Sequence, residues 1–279
     1  MDAETTGSTP VSPALFPARL AAGWLPAVAS PYDAPDLYDL MFESLEFDLG
    51  FWLEVGKTAG GPVLEVGCGT GRVLLRLLAL GIDADGVDLA PSMLERLRRK
   101  AASRGLHARV TQGDMRDFTM PRRYARAICA FNAFAHCETI EDQLRALRCI
   151  REHLAEGGAL VLHMSYPSAS LWTDPSGTPV LELESKHPLS GNTVQLWDTR
   201  FKNVVGQCQR SEVEVREVDA AGGVVDSHRF EAIQRWVYRY ELELLLALSG
   251  YARWEIFGGF EREPLERDDQ QMVAWAWKD

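Results

Sequence analysis

The sequence predicts an α/β fold: a doubly wound, mostly parallel sheet with an N-terminal helical cap and an inserted antiparallel β-meander. Three observations predict it. From residue 62 to residue 165, short apolar runs alternate with amphipathic helical segments, the pattern of a parallel sheet covered on both faces. Three glycines stand at alternate positions directly behind the first of those runs, in Val63-Leu-Glu-Val-Gly-Cys-Gly-Thr-Gly-Arg72. Between residues 166 and 237 the periodicity becomes alternating, as antiparallel strands require.

Residues 1–31 hold five of the fourteen prolines together with Ser and Thr, the composition of a flexible tail. Residues 32–60 read as the helical cap, because Leu37, Leu40, Met41, Leu45, Leu49, Trp52 and Leu53 recur near helical spacing and predict one or two helices. Residues 62–66 form a buried strand, 67–71 a loop, and 72–80 a helix stopped by Gly81. A second strand over 84–87 ends at Asp88, and Pro91-Ser92 opens a helix carrying Met93, Leu94 and Leu97.

Strands over 108–112 and 125–131 follow, then a helix opened by Thr139-Ile-Glu-Asp142 with a stripe of Leu144, Leu147, Ile150 and Leu154. Gly157-Gly158 is expected to end that helix before a strand over 159–164. The meander is expected over 193–201, 204–218 and 224–237, turning at Asp219-Ala-Ala-Gly-Gly223. A helix over 238–249, with Gly250 beyond it, and closing strands over 252–257 and 272–277 restore the α/β pattern. The core is thus 61–165 with 238–279, and 166–237 is an insertion.

At 279 residues and 46% hydrophobic, the chain suits one globular domain with elaborations. A formal net charge of -11 opposes a polyphosphate partner, so nucleic acid is not expected. The basic residues of 96–100 are expected on the solvent face of their helix. Five cysteines without a CxxC pair read as incidental thiols in a reducing compartment. The first ten residues lack the basic start and apolar segment of an export signal, and no run approaches a membrane span. A cytoplasmic protein without membrane association is the expectation. His163, His187 and His228 show no metal-ligand spacing, so no metal is expected.

A strand, a glycine-rich turn and a helix start present unpaired backbone N–H groups and let a ligand approach the main chain. A dinucleotide fingerprint needs glycine at its sixth position, where this chain has Arg72. The motif is instead Glu65-x-Gly67-x-Gly69-x-Gly71. Here the sequence resembles the class I S-adenosylmethionine (SAM)-dependent methyltransferases. That resemblance implies a seven-stranded Rossmann-like methyltransferase sheet with an antiparallel last strand. It also implies that Glu65, Gly67, Cys68, Gly69 and Gly71 hold the amino-acid end of SAM.

Further segments carry the same resemblance: Asp88 at the tip of the second strand, Gly113-Asp114-Met115 after the third, Ile128 to His136 after the fourth, Leu154-Ala-Glu-Gly-Gly158 before the fifth, and the closing strand pair. It implies that Asp88 accepts hydrogen bonds from both ribose hydroxyls, with helix capping as its other reading, and that Asp114 meets the adenine amine. Leu89, Met93, Met115 and Phe131 complete the implied SAM site, and S-adenosylhomocysteine is the implied product.

The sulfonium of SAM is already reactive, so the enzyme's task is to align a lone pair and exclude water. A polar group near the methyl assists, because an amine must be unprotonated when it attacks. His136 is the candidate, at a strand's C-terminal end and able to accept a proton near neutral pH; its other reading is a histidine satisfied by a backbone carbonyl. Phe131-Asn-Ala-Phe-Ala-His136 is similar to the corresponding segment of bacterial amino-sugar N,N-dimethyltransferases, in which a histidine contacts the substrate amine region. Those enzymes also place a tyrosine of the N-terminal helix over the site, which implicates Tyr38 in Asp36-Leu-Tyr38-Asp-Leu40, and Tyr32 beside it. Helix packing is the alternative for both. Asn132, Tyr166 and Trp236 are the remaining candidate substrate contacts. The chain departs from those enzymes beyond the fifth strand, where Met164-Ser-Tyr-Pro167 replaces a tryptophan-rich segment.

The inserted meander reads as a substrate-selecting lid or as a homodimer interface. No Asn-Pro-Pro-aromatic segment follows the fourth strand and no Pro-Cys dipeptide occurs, which disfavours DNA methylation. A small-molecule acceptor is expected, methylated at nitrogen first, oxygen second and carbon third. Two other classes compete: an NAD-dependent oxidoreductase, opposed by the glycine spacing, and a SAM-binding sensor or scaffold without turnover.

Overall fold

A computed structural model describes residues 30–279; the tail expected over 1–31 lies almost wholly outside them. The cap begins with a 3-10 turn, Pro31–Asp33, followed by α1 (Pro35–Phe42) and α2 (Leu49–Lys57). The core then runs β1 (Val63–Val66), α3 (Leu74–Ala79), β2 (Ala84–Asp88), α4 (Pro91–Ser103), β3 (Arg109–Gln112) and β4 (Tyr124–Cys129). A second 3-10 turn, Ala133–His136, leads to α5 (Ile140–His153) and β5 (Leu154–Ser165). The short α6 (Ser170–Thr173) precedes β6 (Pro179–Lys186), β7 (Thr193–Asn203), β8 (Cys208–Val218) and β9 (Val224–Arg235). α7 (Arg239–Leu248), β10 (Arg253–Phe257) and β11 (Gln271–Trp277) close the chain.

The main sheet has seven strands in the order β10-β11-β5-β4-β1-β2-β3. All neighbours pair in parallel except β11, which runs antiparallel between β5 and β10. The expected α/β sheet with an antiparallel last strand is therefore the fold observed.

Strand alternation sorts side chains into two cores. Leu64, Cys129, Leu160, Leu162 and Ala274 pack toward α5 and α7, whereas Val63, Ile128, Val161, Val273 and Trp275 pack toward α2, α3 and α4. Both faces being covered, the central strands are largely apolar, with Glu65 of β1 and His163 of β5 as buried polar exceptions. The second sheet, in the order β6-β7-β8-β9, is antiparallel. Its apolar face, with Val194, Leu196, Val215 and Phe230, closes over Met41 of α1. The insertion thereby rests on the cap.

Three local expectations are corrected. The helix α5 stops at His153, so Gly157 and Gly158 lie inside β5; a Cβ on Gly158 would stand 2.9 Å from the carbonyl oxygens of Ala155 and Tyr124, so glycine permits strand approach there. The insertion has four strands rather than three. β6 was missed because it is a largely exposed edge strand whose alternation breaks at a bulge between Leu181 and Leu183. Finally, Arg98 and Arg99 face solvent as expected, but Lys100 does not and Arg96 does so only in part. Lys100 is 8% exposed, and both it and Arg96 turn toward Asp39 of α1.

Candidate active site

Behind β1 the chain turns sharply, and Gly67, Gly69 and Gly71 take φ of +74, +52 and +89°, a region costly for residues with a Cβ. The N–H groups of Gly67 and Cys68 donate to the Val87 carbonyl at 2.8 and 3.1 Å, locking the turn to β2. Gly69 N–H donates to Asp88 Oδ2 at 2.7 Å, while Asp88 Oδ1 accepts from Ala90 N–H at 2.9 Å. The carboxylate thus ties the loop to the start of α4 and also faces a cavity of about 760 Å³. Burial raises its pKa against the pull of those N–H groups.

Gly67, Gly69, Leu89, Met93, Asp114, Met115 and Phe131 also line this cavity, together with His136, Tyr32, Tyr38 and Asn132. Five sequence candidates do not. Cys68 turns beneath the loop, where a Cβ on Gly86 would meet its sulfur at 2.8 Å. Gly71 fits between Leu75 and Leu97. Glu65 is buried behind the loop with Oε2 lacking a hydrogen-bond partner among the described residues. Desolvation pushes its carboxyl up to about 8, against the opposing influence of Arg72. Tyr166 instead packs edge-on against Tyr238, 6.1 Å between centroids. Trp236 is buried next to the end of β9 and does not reach the cavity. Asp114 reaches it, but Arg116 grips the carboxylate from its backbone and guanidinium nitrogens and holds its pKa down.

Beyond β4, Phe131 and Asn132 both adopt positive φ, 52 and 61°, which is strained for residues with a Cβ. Their surroundings hold them there. Phe131 N–H donates to His163 Nδ1 at 3.2 Å, and His163 Nε2–H donates to Gln271 Oε1 at 2.8 Å. Asn132 Oδ1 accepts from Ser165 N–H at 2.6 Å, and its amide donates to Ser165 Oγ at 3.1 Å. This sharp reversal delivers His136 to the cavity wall.

His136 Nδ1 lies 3.1 Å from the Ile233 carbonyl of β9, a partner that can only accept, so Nδ1 carries the hydrogen. Nε2 is then the acceptor for the Tyr32 hydroxyl at 2.6 Å. Burial pushes the His136 pKa down despite the Ile233 carbonyl, and the imidazole is neutral. Burial likewise raises the Tyr32 hydroxyl, which keeps its proton.

The cap is fixed over this site by buried charge. Asp39 Oδ1 accepts from Thr70 Oγ1 of the glycine loop at 2.6 Å and from Lys100 at 2.9 Å, and Oδ2 accepts from Arg96 at 2.7 Å. Arg72 grips Asp48 through both guanidinium NH2 groups, at 2.6 and 2.7 Å. Burial alone would raise the Asp48 carboxyl, but the Arg72 and Trp52 hydrogen bonds pull it below its ordinary value. Ser92 Oγ donates to the Tyr32 carbonyl at 2.6 Å, pinning the first turn to α4.

The opposite wall comes from the inserted sheet: Leu196, Val213 and Phe230 are apolar, whereas Glu182, Asp198, Arg200 and Ser211 are polar. Sequence reasoning missed these four. The signal was present in β7, where Val194, Leu196, Asp198 and Arg200 share one face and charge interrupts an apolar stripe.

These residues fit SAM. The unpartnered Glu65 oxygen behind the loop suits an ammonium group, and a Cβ on Gly67 would stand 2.8 Å from Ala133 Cβ, so only glycine fits this cavity-lining position. Leu89, 62% exposed, offers an apolar surface beside Asp88. Among the described residues, no group of His, Cys, Asp or Glu could hold a metal ion, and no helix is long and apolar enough to cross a membrane. Sheet order, glycine turn and cavity together define a SAM-binding transferase.

Comparison with known proteins agrees. Residues 63–158 match the family described as Methyltransferase domain. The chain is 24% identical over 250 residues to the cypemycin N-terminal methyltransferase of a Streptomyces species, covering 88% of this chain and 96% of that one. It is 26% identical to the dTDP-3-amino-3,6-dideoxy-alpha-D-glucopyranose N,N-dimethyltransferase of Streptomyces fradiae, covering 73% and 79% respectively. The fold matches the CcbJ methyltransferase of Streptomyces caelestis with a TM-score of 0.71 at 24% identity, covering 88% of this chain and 97% of that one. The chain is a SAM-dependent methyltransferase, related to bacterial natural-product N-methyltransferases.

Proposed function

We propose that this enzyme methylates a nitrogen atom of a small-molecule acceptor. The observation that carries the reading is the neutral His136 joined to the Tyr32 hydroxyl in the wall of the cavity onto which the glycine turn opens. SAM, when bound at Gly67, Gly69 and Asp88, supplies a sulfonium-activated methyl group.

The residues of the chain then manage the acceptor's proton. An amine attacks only when unprotonated. The Tyr32 oxygen accepts a hydrogen bond from the incoming ammonium, and as that proton crosses, the tyrosine's own proton passes to His136 Nε2. The resulting imidazolium donates from Nδ1 to the Ile233 carbonyl, which is already placed to receive it. Tyr38, Phe42 and Phe131 pack in sequence at 4.9 and 5.6 Å and screen the site from water. Asn132, which also lines the cavity, holds the strained turn in place through Ser165.

Two further facts support the reading. One of the two sequence relatives is an N-terminal methyltransferase and the other an N,N-dimethyltransferase of an amino-sugar nucleotide. A net charge of -11 and a carboxylate-bearing wall favour a small acceptor over nucleic acid.

The test is turnover of matched amines and alcohols with SAM, read as S-adenosylhomocysteine release and a mass gain of one methylene. Amines are expected to react. Alcohols reacting while amines stay inert would overturn the nitrogen assignment, and S-adenosylhomocysteine binding without any turnover would favour a sensor.

A further inference from the structure

Resting on that reading, the inference concerns what the inserted sheet selects. Asp198 is 6% exposed, lines the cavity, and leaves Oδ1 without a hydrogen-bond partner among the described residues. Its other oxygen accepts from Arg200 Nε at 2.7 Å and from Ser211 Oγ at 3.2 Å. Arg200 also meets Glu182 at 2.8 Å. Two carboxylates therefore share one guanidinium, and the patch carries excess negative charge. Burial alone would lower the Arg200 pKa, but these two carboxylates raise it.

The sheet is built to present this cluster. Glu182 is the extra residue of the β6 bulge, an irregularity that re-aims a side chain. Arg200 lies opposite Ser211, and Ser211 opposite Ala232, in consecutive strands of the register. Ala232 adjoins Ile233, whose carbonyl orients His136. Arg200 thus stands two strands from Ala232, roughly 10 Å at ordinary strand spacing. Leu196, Val213 and Phe230 supply an apolar wall beside the cluster.

A buried carboxylate oxygen without a partner is unfavourable until a donor reaches it. An anionic group is a poor occupant, because Arg200 is already bonded to both carboxylates. We propose that Asp198, assisted by Glu182, is a specificity site for a second, positively charged group of the acceptor, remote from the nitrogen that His136 and Tyr32 serve. The acceptor is then a cationic, amphipathic small molecule, not one recognised here through a phosphate.

The test measures binding by calorimetry to the full chain saturated with S-adenosylhomocysteine, using n-hexylammonium, 1-hexanol and dTDP as probes. Hexylammonium is expected to bind at least tenfold more tightly than hexanol. Asp198→Asn should remove at least fivefold of that preference while S-adenosylhomocysteine affinity stays within twofold, which shows the variant is folded. Glu182→Gln, at a partly exposed position, should reduce the preference by a smaller factor. Equal affinity for hexylammonium and hexanol, an Asp198→Asn variant that keeps the preference, or tighter binding of dTDP would overturn the proposal. Failure of the wild-type chain to bind S-adenosylhomocysteine would instead count against the transferase reading, and leaves the probe preference to be read on the chain alone.

Discussion

The Tyr32 hydroxyl lies 2.6 Å from His136 Nε2, although 104 residues separate the two along the chain. The first turn of the cap, pinned to α4 by Ser92, supplies the first, and the strained turn after β4 delivers the second. Chemistry and cap closure are therefore coupled through one hydrogen bond.

His136→Ala should lower kcat by about 10²-fold, in the range expected for a lost proton acceptor, while SAM affinity changes little. Tyr32→Phe should produce a similar loss, and the double variant should cost little more than either alone if the two act as one unit. Steady-state kinetics with separate SAM titrations check this. A double variant whose losses multiply would show that the residues act independently.

Acid should weaken both activity and stability. The His136 and His163 pKa values are depressed by burial below the ordinary 6.5. The unfolded chain therefore binds more protons than the native one in this window. Their stabilising contribution is complete above 6.5 and is lost as pH falls through the folded-state values. Thermal unfolding between pH 7.5 and 5 should show a falling midpoint, and His163→Gln should flatten part of that slope.

SAM binding should release a proton from Glu65. Its carboxyl, pushed up to about 8 by burial, is mostly protonated at pH 7, and a nearby ammonium favours the ionised form. Calorimetry at pH 7 in buffers of different ionisation enthalpy should report release of somewhat less than one proton per SAM. Glu65→Gln should abolish the buffer dependence.

Asp88→Ala should weaken SAM binding by about 1 to 3 kcal/mol through lost hydrogen bonds, and it also frees the N–H groups of Gly69 and Ala90. Equilibrium titration checks the affinity. An unchanged dissociation constant would leave Asp88 as a helix cap alone.

Asp39→Ala should destabilise the protein by about 2 to 3 kcal/mol, less than a wholly buried pair would cost, because Lys100 keeps Glu43 and Arg96 is partly exposed. Denaturant unfolding measures this. The same variant should raise KM for SAM, since Asp39 also holds Thr70 of the glycine turn.

The sequence by itself determined the sheet, the glycine turn and, through the resemblance its motifs carry, the adenosyl cofactor the turn serves. Those features are local: strand and helix periods, positive-φ glycines and an acidic residue two positions before the turn are written in contiguous residues. It also named Asp88, Phe131 and His136 in the segments that the structure brings to the cavity. Tertiary structure decided the rest. β6 escaped detection because a bulged, exposed edge strand has no clean alternation, and Arg96 and Lys100 looked solvent-facing because nothing near them in sequence shows that Asp39 will cover them. Tyr166 and Trp236 have suitable chemistry but turn into packing, while Asp198 and Glu182 become a wall only once the second sheet folds over α1. Which side chains meet across a cavity depends on register and docking between segments far apart in the chain, and these are fixed by packing of the whole rather than by any local pattern.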